Sequence, residues 1–314
     1  MSTSTASLNQ TRPTRGVRKT RTAGLNTQRK ILGALFTLPT AVMITTFFLV
    51  PLGMTFWMSF HRWPLLGTHK WIGLENYSTA LSDPNFLQAL KFTLEYTVII
   101  TPILLVFGFG LAVLVRRGDA PARFFQSVYF MPVAIGLASA SFLWLFMSQS
   151  QIGPLWDLLR RIGLISPTSN LFAGHWSSLM VVNAMVSWKV VGLQMLLLLS
   201  GLQSIPDEVS EAARVDGASG WQRLWHITVP LLRPTLALVL VFSVAGSLLA
   251  FDQFYIMTSG GPSNSTITAV YAIYRNSFIQ FKLGYGAALS VLLMVILAIV
   301  SAVQMLLLRN TDNN

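Results

Sequence analysis

The chain has 314 residues, of which 53% are hydrophobic and 11% charged, and a mean hydropathy of +0.58. A soluble domain carries about 25% charged residues, so these figures exclude an ordinary soluble enzyme. The net charge of +11 sits mostly in a tail and in short loops, which points to a membrane surface and not to nucleic acid; the absence of cysteine excludes a disulfide scaffold, a thiolate metal site and a cysteine nucleophile.

Residues 1–30 are rich in Ser, Thr, Asn, Gln and Arg and have no apolar period. They are expected to form a disordered basic tail that sets topology and tethers the chain to lipid. Six apolar stretches follow, at about 31–58, 92–115, 127–147, 176–200, 234–258 and 284–308. Each meets the ~20 residues that a helix needs to cross a bilayer, so the expected fold is all-α and polytopic, with a membrane domain over 31–308. The second stretch contains Glu95, the fourth Lys189 and the fifth Asp252. The third is the weakest, interrupted by Pro132 and Gly136. Trp57, Trp63, Trp71 and Trp144 suit the membrane interface. His61, His69, His175 and His226 fall in expected loops, solvated or capping, without metal-ligand spacing.

Lys and Arg set the orientation. The tail, the loops 116–126 and 201–233, and Arg309 together hold fourteen; the alternate loops hold seven. That bias puts both termini, and the short tail 309–314, in the cytoplasm, although the loops alone divide evenly.

The loop after the fourth stretch is unlike the others. It contains Pro206, then Asp207 and Glu208, then Gly217. Pro suits a first helical position, the acids suit the positive end of the helix dipole, and Gly suits the left-handed residue past a helix end. A helix is therefore expected between Pro206 and Asp216, followed by a second short one from Trp221 to Ile227 that Pro230 ends. Glu211-Ala212-Ala213, three residues, Gly217, nine residues, Ile227-Thr228-Val229-Pro230 resembles the pattern E-A-A-x3-G-x9-I-x-L-P of ATP-binding-cassette importer permeases, with Val229 in place of Leu. Six fixed positions arise by chance roughly once in 10⁷ starts at residue frequencies of about 5–8%. Trp71-Ile-Gly-Leu-Glu-Asn-Tyr77, Asp83-Pro-Asn-Phe86, and the run from Phe251 to Pro262 with Thr266, Tyr271 and Tyr274 are similar to segments of the carbohydrate-uptake branch. The likeness covers about residues 30–308 and is greatest to the smaller, six-span members, without the additional spans of the maltose-type subunit.

The resemblance implies a permease subunit that forms half of a translocation pathway. Its implied partners are a second homologous permease, two copies of an ATPase subunit that use the ATP and Mg, an external solute-binding protein, a sugar, and the lipid of a bacterial or archaeal inner membrane. The coupling residues would be Glu211, Ala212, Ala213, Gly217, Ile227 and Pro230. Neither nucleic acid nor a cofactor bound by this chain is implied, and the sequence contains no G-x-x-x-x-G-K-[ST] loop. Matching to the maltose-type pattern puts Val186, Lys189, Val190 and Leu193 on the sugar-lining face of the fourth span, and Leu249, Ala250 and Gln253 in the fifth. Asp252 joins them as a packing, gating or path residue. Lys189 has two readings, a contact within the bundle or a contact with substrate. Several of these positions are apolar, so the partner permease or the binding protein is expected to carry much of the recognition. A glycerol phosphate or polyol is the alternative solute. A stand-alone secondary transporter is the rival class, but residues 30–150 and 170–308 give no convincing internal repeat.

Overall fold

The computed structural model describes Gly33, residues 35–116 and residues 118–309. The expected tail 1–30 and residues 310–314 lie outside the described residues. The chain divides into two compact units, 1–54 and 55–314. The first contributes most of an apolar helix, Leu35–Ser59 (α1), whose described side chains up to Met54 are exposed. Everything that follows concerns the second unit.

Three further helices are long and apolar enough to cross a membrane unbroken: Pro84–Val115, Leu283–Leu307 and, between them, His175–Gln203. We call Pro84–Val115 α3, after a short hairpin of His61–Arg62 (β1) and Lys70–Trp71 (β2) and a helix Glu75–Ser82 (α2). The second expected stretch thus starts eight residues early. The reason is local: Asp83 caps the helix by accepting the Asn85 N–H at 2.9 Å, and Pro84 fills the first turn, where no N–H is needed.

The third expected stretch is not one helix. Ala120–Phe130 (α4) runs through a tight turn at Met131–Ala134 into Leu137–Met147 (α5), with a 97° bend between the halves. Ile135 and Gly136 are extended there, the break that Pro132 and Gly136 foreshadow. A helix Pro154–Arg161 (α6) precedes His175–Gln203 (α7). The fifth stretch also departs from expectation. Helix Arg233–Leu248 (α10) stops short, the backbone unwinds at Leu249–Phe251, and Asp252–Met257 (α11) resumes. Thr268 repairs the interruption by donating its hydroxyl to the Ala250 carbonyl at 2.7 Å. It also caps Ala269–Tyr274 (α12), which precedes Leu283–Arg309 (α13). Between α7 and α10 lie Asp207–Val215 (α8) and Gly220–Leu231 (α9), the latter bent by 70° from α10. Among the described residues the count is four unbroken spans, or six when each bent pair is one crossing.

Two larger apolar clusters follow one another along this unit. One joins Phe92, Tyr96 and Ile100 of α3 to Leu179, Val182 and Met185 of α7 and to Phe254 of α11. The other joins Val115, Leu198, Leu202, Leu232 and Val239. A third, smaller cluster joins Ala80 of α2, Phe86 and Ala89 of α3, Ala272 of α12 and Leu289 of α13. α3 runs from this third cluster through the first to the second, and α7 from the first to the second, so the hairpin, α2, α6, α11 and α12 gather at one end and the α8–α9 loop at the other.

The Trp71–Tyr77 segment has a structural task at the hairpin end. Buried Asn76 donates to the carbonyls of Ser59 (2.8 Å) and His61 (3.0 Å), the Tyr77 and Ser59 hydroxyls are 2.6 Å apart, and Arg62 pairs with Glu75 at 2.8 Å. The histidines are more engaged than loop residues were expected to be. His61 is buried among Trp57, Trp63 and Trp71, donating its Nδ1 proton to the Trp57 carbonyl, and His175 Nε2 donates to Glu95 at 2.9 Å.

Candidate functional site

The α8–α9 loop is a rigid two-helix element. Asp207 and Glu208 occupy the first turn of α8 and Arg214 its last, the favourable order against the helix dipole. Gly217 adopts φ +78°, and the N–H groups of Ala218 and Gly217 bond the carbonyls of Ala213 and Arg214. That pair of bonds is a Schellman stop, which needs the left-handed residue. Ser219 and Gln222 then form a reciprocal capping box that starts α9. Arg223 reaches back to the Ser210 hydroxyl at 3.4 Å and ties the two helices together.

Pro230 does not end the second helix, as its position suggests it should. A wide turn over Leu224–Thr228, in which the Val229 N–H bonds the Leu224 carbonyl, precedes it. The shift in hydrogen bonding absorbs the missing proline N–H, and the helix continues to Leu231. Of the six signature residues, Glu211, Ala212 and Gly217 are exposed, Ile227 and Pro230 are half-buried, and Ala213 is buried. Ala212, not Ala213, therefore offers the small outer surface. Around it Val215 is 88% exposed, Trp221 69% and Trp225 51%, an apolar surface that water does not favour.

The expected path residues divide into three groups. Val186 and Ala250 are buried together in the first apolar cluster, with Val190 packed against it. Gln253 is buried beside them, its amide 3.4 Å from the Tyr96 hydroxyl. Lys189 and Asp252 are half-buried, and Leu193 and Leu249 are exposed. Lys189 donates to the Val133 carbonyl at 3.0 Å. It thus supplies a charge-assisted bond to the broken end of α4, where a helical carbonyl has lost its partner.

Other residues of the same region were not singled out from the sequence. Gly192 lies one turn beyond Lys189, and a Cβ there would overlap the Tyr129 carbonyl. Gln194 donates to Ser243 at 2.7 Å, joining α7 to α10. Asn183 is buried, and neither atom of its amide has a hydrogen-bond partner among the described residues. A glycine and two amides inside an otherwise apolar span were the available signal.

Residues 104–313 match the model of the family described as binding-protein-dependent transport system inner membrane component. The chain belongs to this family. It is an inner-membrane permease subunit, a transport protein and not an enzyme. Among relatives, it is 36% identical to the sn-glycerol-3-phosphate transport system permease protein of Agrobacterium fabrum, over 88% of this chain and 94% of that one. It is 32% identical to the arabinooligosaccharides transport system permease protein of Bacillus subtilis, over 88% of each chain. Among solved structures, a chain of a bacterial ATP-binding-cassette transporter involved in alginate import superimposes with a TM-score of 0.81 at 20% identity, over 91% of this chain and 98% of that one. That likeness establishes the permease fold.

Proposed function

We propose that this permease forms one half of the translocation pathway of an ATP-driven importer for sugars or related hydroxylated solutes. It pairs with a second, homologous permease and receives its solute from an external binding protein. The complex carries two ATPase subunits, and the α8–α9 loop, which faces the cytoplasm together with both termini, docks on one of them. The observation that carries this reading is the construction of that loop: a Schellman stop, a capping box and an inter-helix bond hold two short helices rigid, with Glu211 and Ala212 turned outward. A rigid element transmits a displacement that a floppy loop would dissipate. Coupling requires that the loop's contacts differ between the two states of the transporter.

The test is ATP-dependent uptake by the reconstituted complex. Glu211→Ala combined with Gly217→Pro is expected to cut uptake about 5- to 150-fold, the range that a coupling free energy of ~1–3 kcal/mol spans. The same pair should weaken co-purification of the ATPase. Unchanged uptake and assembly, or transport by this chain alone without ATP, overturns the reading. A glycerol-phosphate solute is the second reading, favoured by the 36% identity to a permease of that system.

A further inference from the structure

At the end of the unit opposite the α8–α9 loop lies a cavity of about 530 Å³, between the hairpin, α2, the start of α3 and the start of α13. Its size falls within the ~300–1,000 Å³ of small-molecule sites. Three cations line it: Arg62, Arg275 and Lys282. One carboxylate, Asp83, lines it too.

The charges are not equivalent. Arg62 is paired with Glu75. Asp83 is already engaged, accepting the Asn85 N–H at 2.9 Å and the Tyr285 hydroxyl at 2.8 Å. Arg275 has only a neutral partner, the Asn264 side-chain oxygen at 3.1 Å, and neither it nor Lys282 makes an ion pair among the described residues. The arginines at α6, on the same end, are handled otherwise: Arg160 and Arg161 share Asp157, and their hydrogen bonds hold its carboxyl below the usual range. The backbone that carries both cavity cations is held in place. The Lys282 N–H bonds the Asn276 carbonyl, residue 282 bridges to Pro64, and the Gln280 N–H closes onto the Arg275 carbonyl.

The rest of the wall suits hydroxyl groups. Gln88 and Gln280 line the cavity with side-chain amides that have no partner among the described residues, and Asn276 keeps its amide oxygen free. Amides donate and accept, as hydroxyls do. Trp63 adds an aromatic wall. Cations without a carboxylate partner call for an anion; amides and an aromatic face call for more than a bare inorganic ion.

We propose that this cavity binds a small hydroxylated anion, such as a sugar phosphate, glycerol phosphate or uronate, with Arg275 and Lys282 holding the charge and the amides reading the hydroxyls. It is separate from the Val186–Gln253 region of the membrane path. The inference rests on the importer reading for its external placement, and it deepens that reading by favouring anionic over neutral solutes.

The test uses the assembled permease–ATPase complex in phosphatidylcholine nanodiscs, without binding protein. Binding of sn-glycerol 3-phosphate, glucose 6-phosphate and glucuronate is compared with that of glycerol and glucose by calorimetry and ligand-observed NMR. At least one anion should bind saturably, more than about tenfold tighter than its neutral counterpart. Arg275→Gln with Lys282→Gln should weaken it about 10- to 100-fold, the loss expected when hydrogen bonds to charged groups are removed. Lys282→Arg should retain binding. If the double variant does not assemble, Lys282→Gln alone, on an exposed side chain, should still weaken binding.

Equal binding of anions and neutral counterparts, or an unaffected Gln variant, overturns the proposal. So does a variant that keeps its anion binding and, in a parallel measurement with the external binding protein added, loses only affinity for that protein, which would make the cavity an acidic-peptide dock. Occupancy by phosphatidylglycerol headgroups in parallel nanodiscs that contain this lipid, without binding of the soluble anions, overturns it as well. ATP-dependent uptake by the same complex in sealed proteoliposomes, with its binding protein added, separates the two readings: uptake without cavity binding defeats this inference alone, and absence of uptake defeats the importer reading.

Discussion

Gly192 and Lys189 act on the same junction from one face of α7. A valine at 192 would push its side chain into the Tyr129 backbone, which cannot yield as a flexible side chain can. Overpacking of this kind costs ~1–3 kcal/mol or more. Gly192→Val should therefore lower the thermal midpoint of the purified complex in detergent, and more so than Gly246→Val, where a Cβ meets open space. Lys189→Met should cost ~1–3 kcal/mol by removing the charged donor from the half-buried Val133 carbonyl. Asn183 poses the opposite case. Its amide is buried unpaired, a state that costs ~1–3 kcal/mol. Asn183→Leu should raise the thermal midpoint. A polar group unpaired in one conformation is useful to a transporter if it is paired in the other, so the same variant should lower uptake. A rise in both stability and uptake would remove Asn183 from the transport cycle.

At the level of elements, legibility tracked how local the determining physics was. The loop helices are specified by neighbours in sequence: Pro206, the paired acids, Gly217, and Ser219 with Gln222 sit within a few residues of the ends they make. α8 at Asp207–Val215 accordingly falls inside the expected interval, and Gly217 adopts the left-handed backbone expected of it. The bent pairs were harder. Pro132 and Gly136 warned of the first break, but the 97° angle is fixed by α7, through Lys189 and Gly192, about 55 residues later. The unwinding at Leu249–Phe251 depends on Thr268, eighteen residues on. Among the expected path residues, burial divided the set because a 3.6-residue period locates a face without saying what covers it. The loop gives an element-scale prediction. Gly217→Ala strains a φ of +78° by ~1–2 kcal/mol, and Ser219→Ala removes a cap worth ~1 kcal/mol. Each should speed amide exchange over 204–232 while leaving exchange in α3 and α7 unchanged. Loss of protection throughout the unit would mean that the loop stabilises the bundle and not only its own shape.

For the whole molecule, topology turns on whether each bent pair crosses the bilayer. Four unbroken spans would leave residues 215 and 282 on one side of the membrane, because no crossing would separate α7 from α13. Six spans put them on opposite sides, with α9–α10 as the intervening crossing. The two larger clusters favour six: Leu232 and Val239 belong with the end of α7, whereas Ala250 and Phe254 belong with its beginning. The chain has no cysteine, so each introduced thiol is the chain's only one. Val215→Cys lies on an exposed helix end and Lys282→Cys on the rim of the cavity. A membrane-impermeant maleimide added to right-side-out vesicles should label the Lys282 variant and spare the Val215 variant, and inside-out vesicles should reverse the result. Asp119→Cys and Ser166→Cys test the other pair in the same way, since α4 and α5 lie between them. Asp119 should behave like Val215, and Ser166 like Lys282. Bound ATPase should in addition shield the Val215 variant in inside-out vesicles, where its neighbours Trp221 and Trp225 would be covered. Labelling of both members of a pair from one side would show that the bend turns back within the membrane and reduce the count of crossings, and for the Val215 and Lys282 pair it would put Lys282 on the face of the coupling loop.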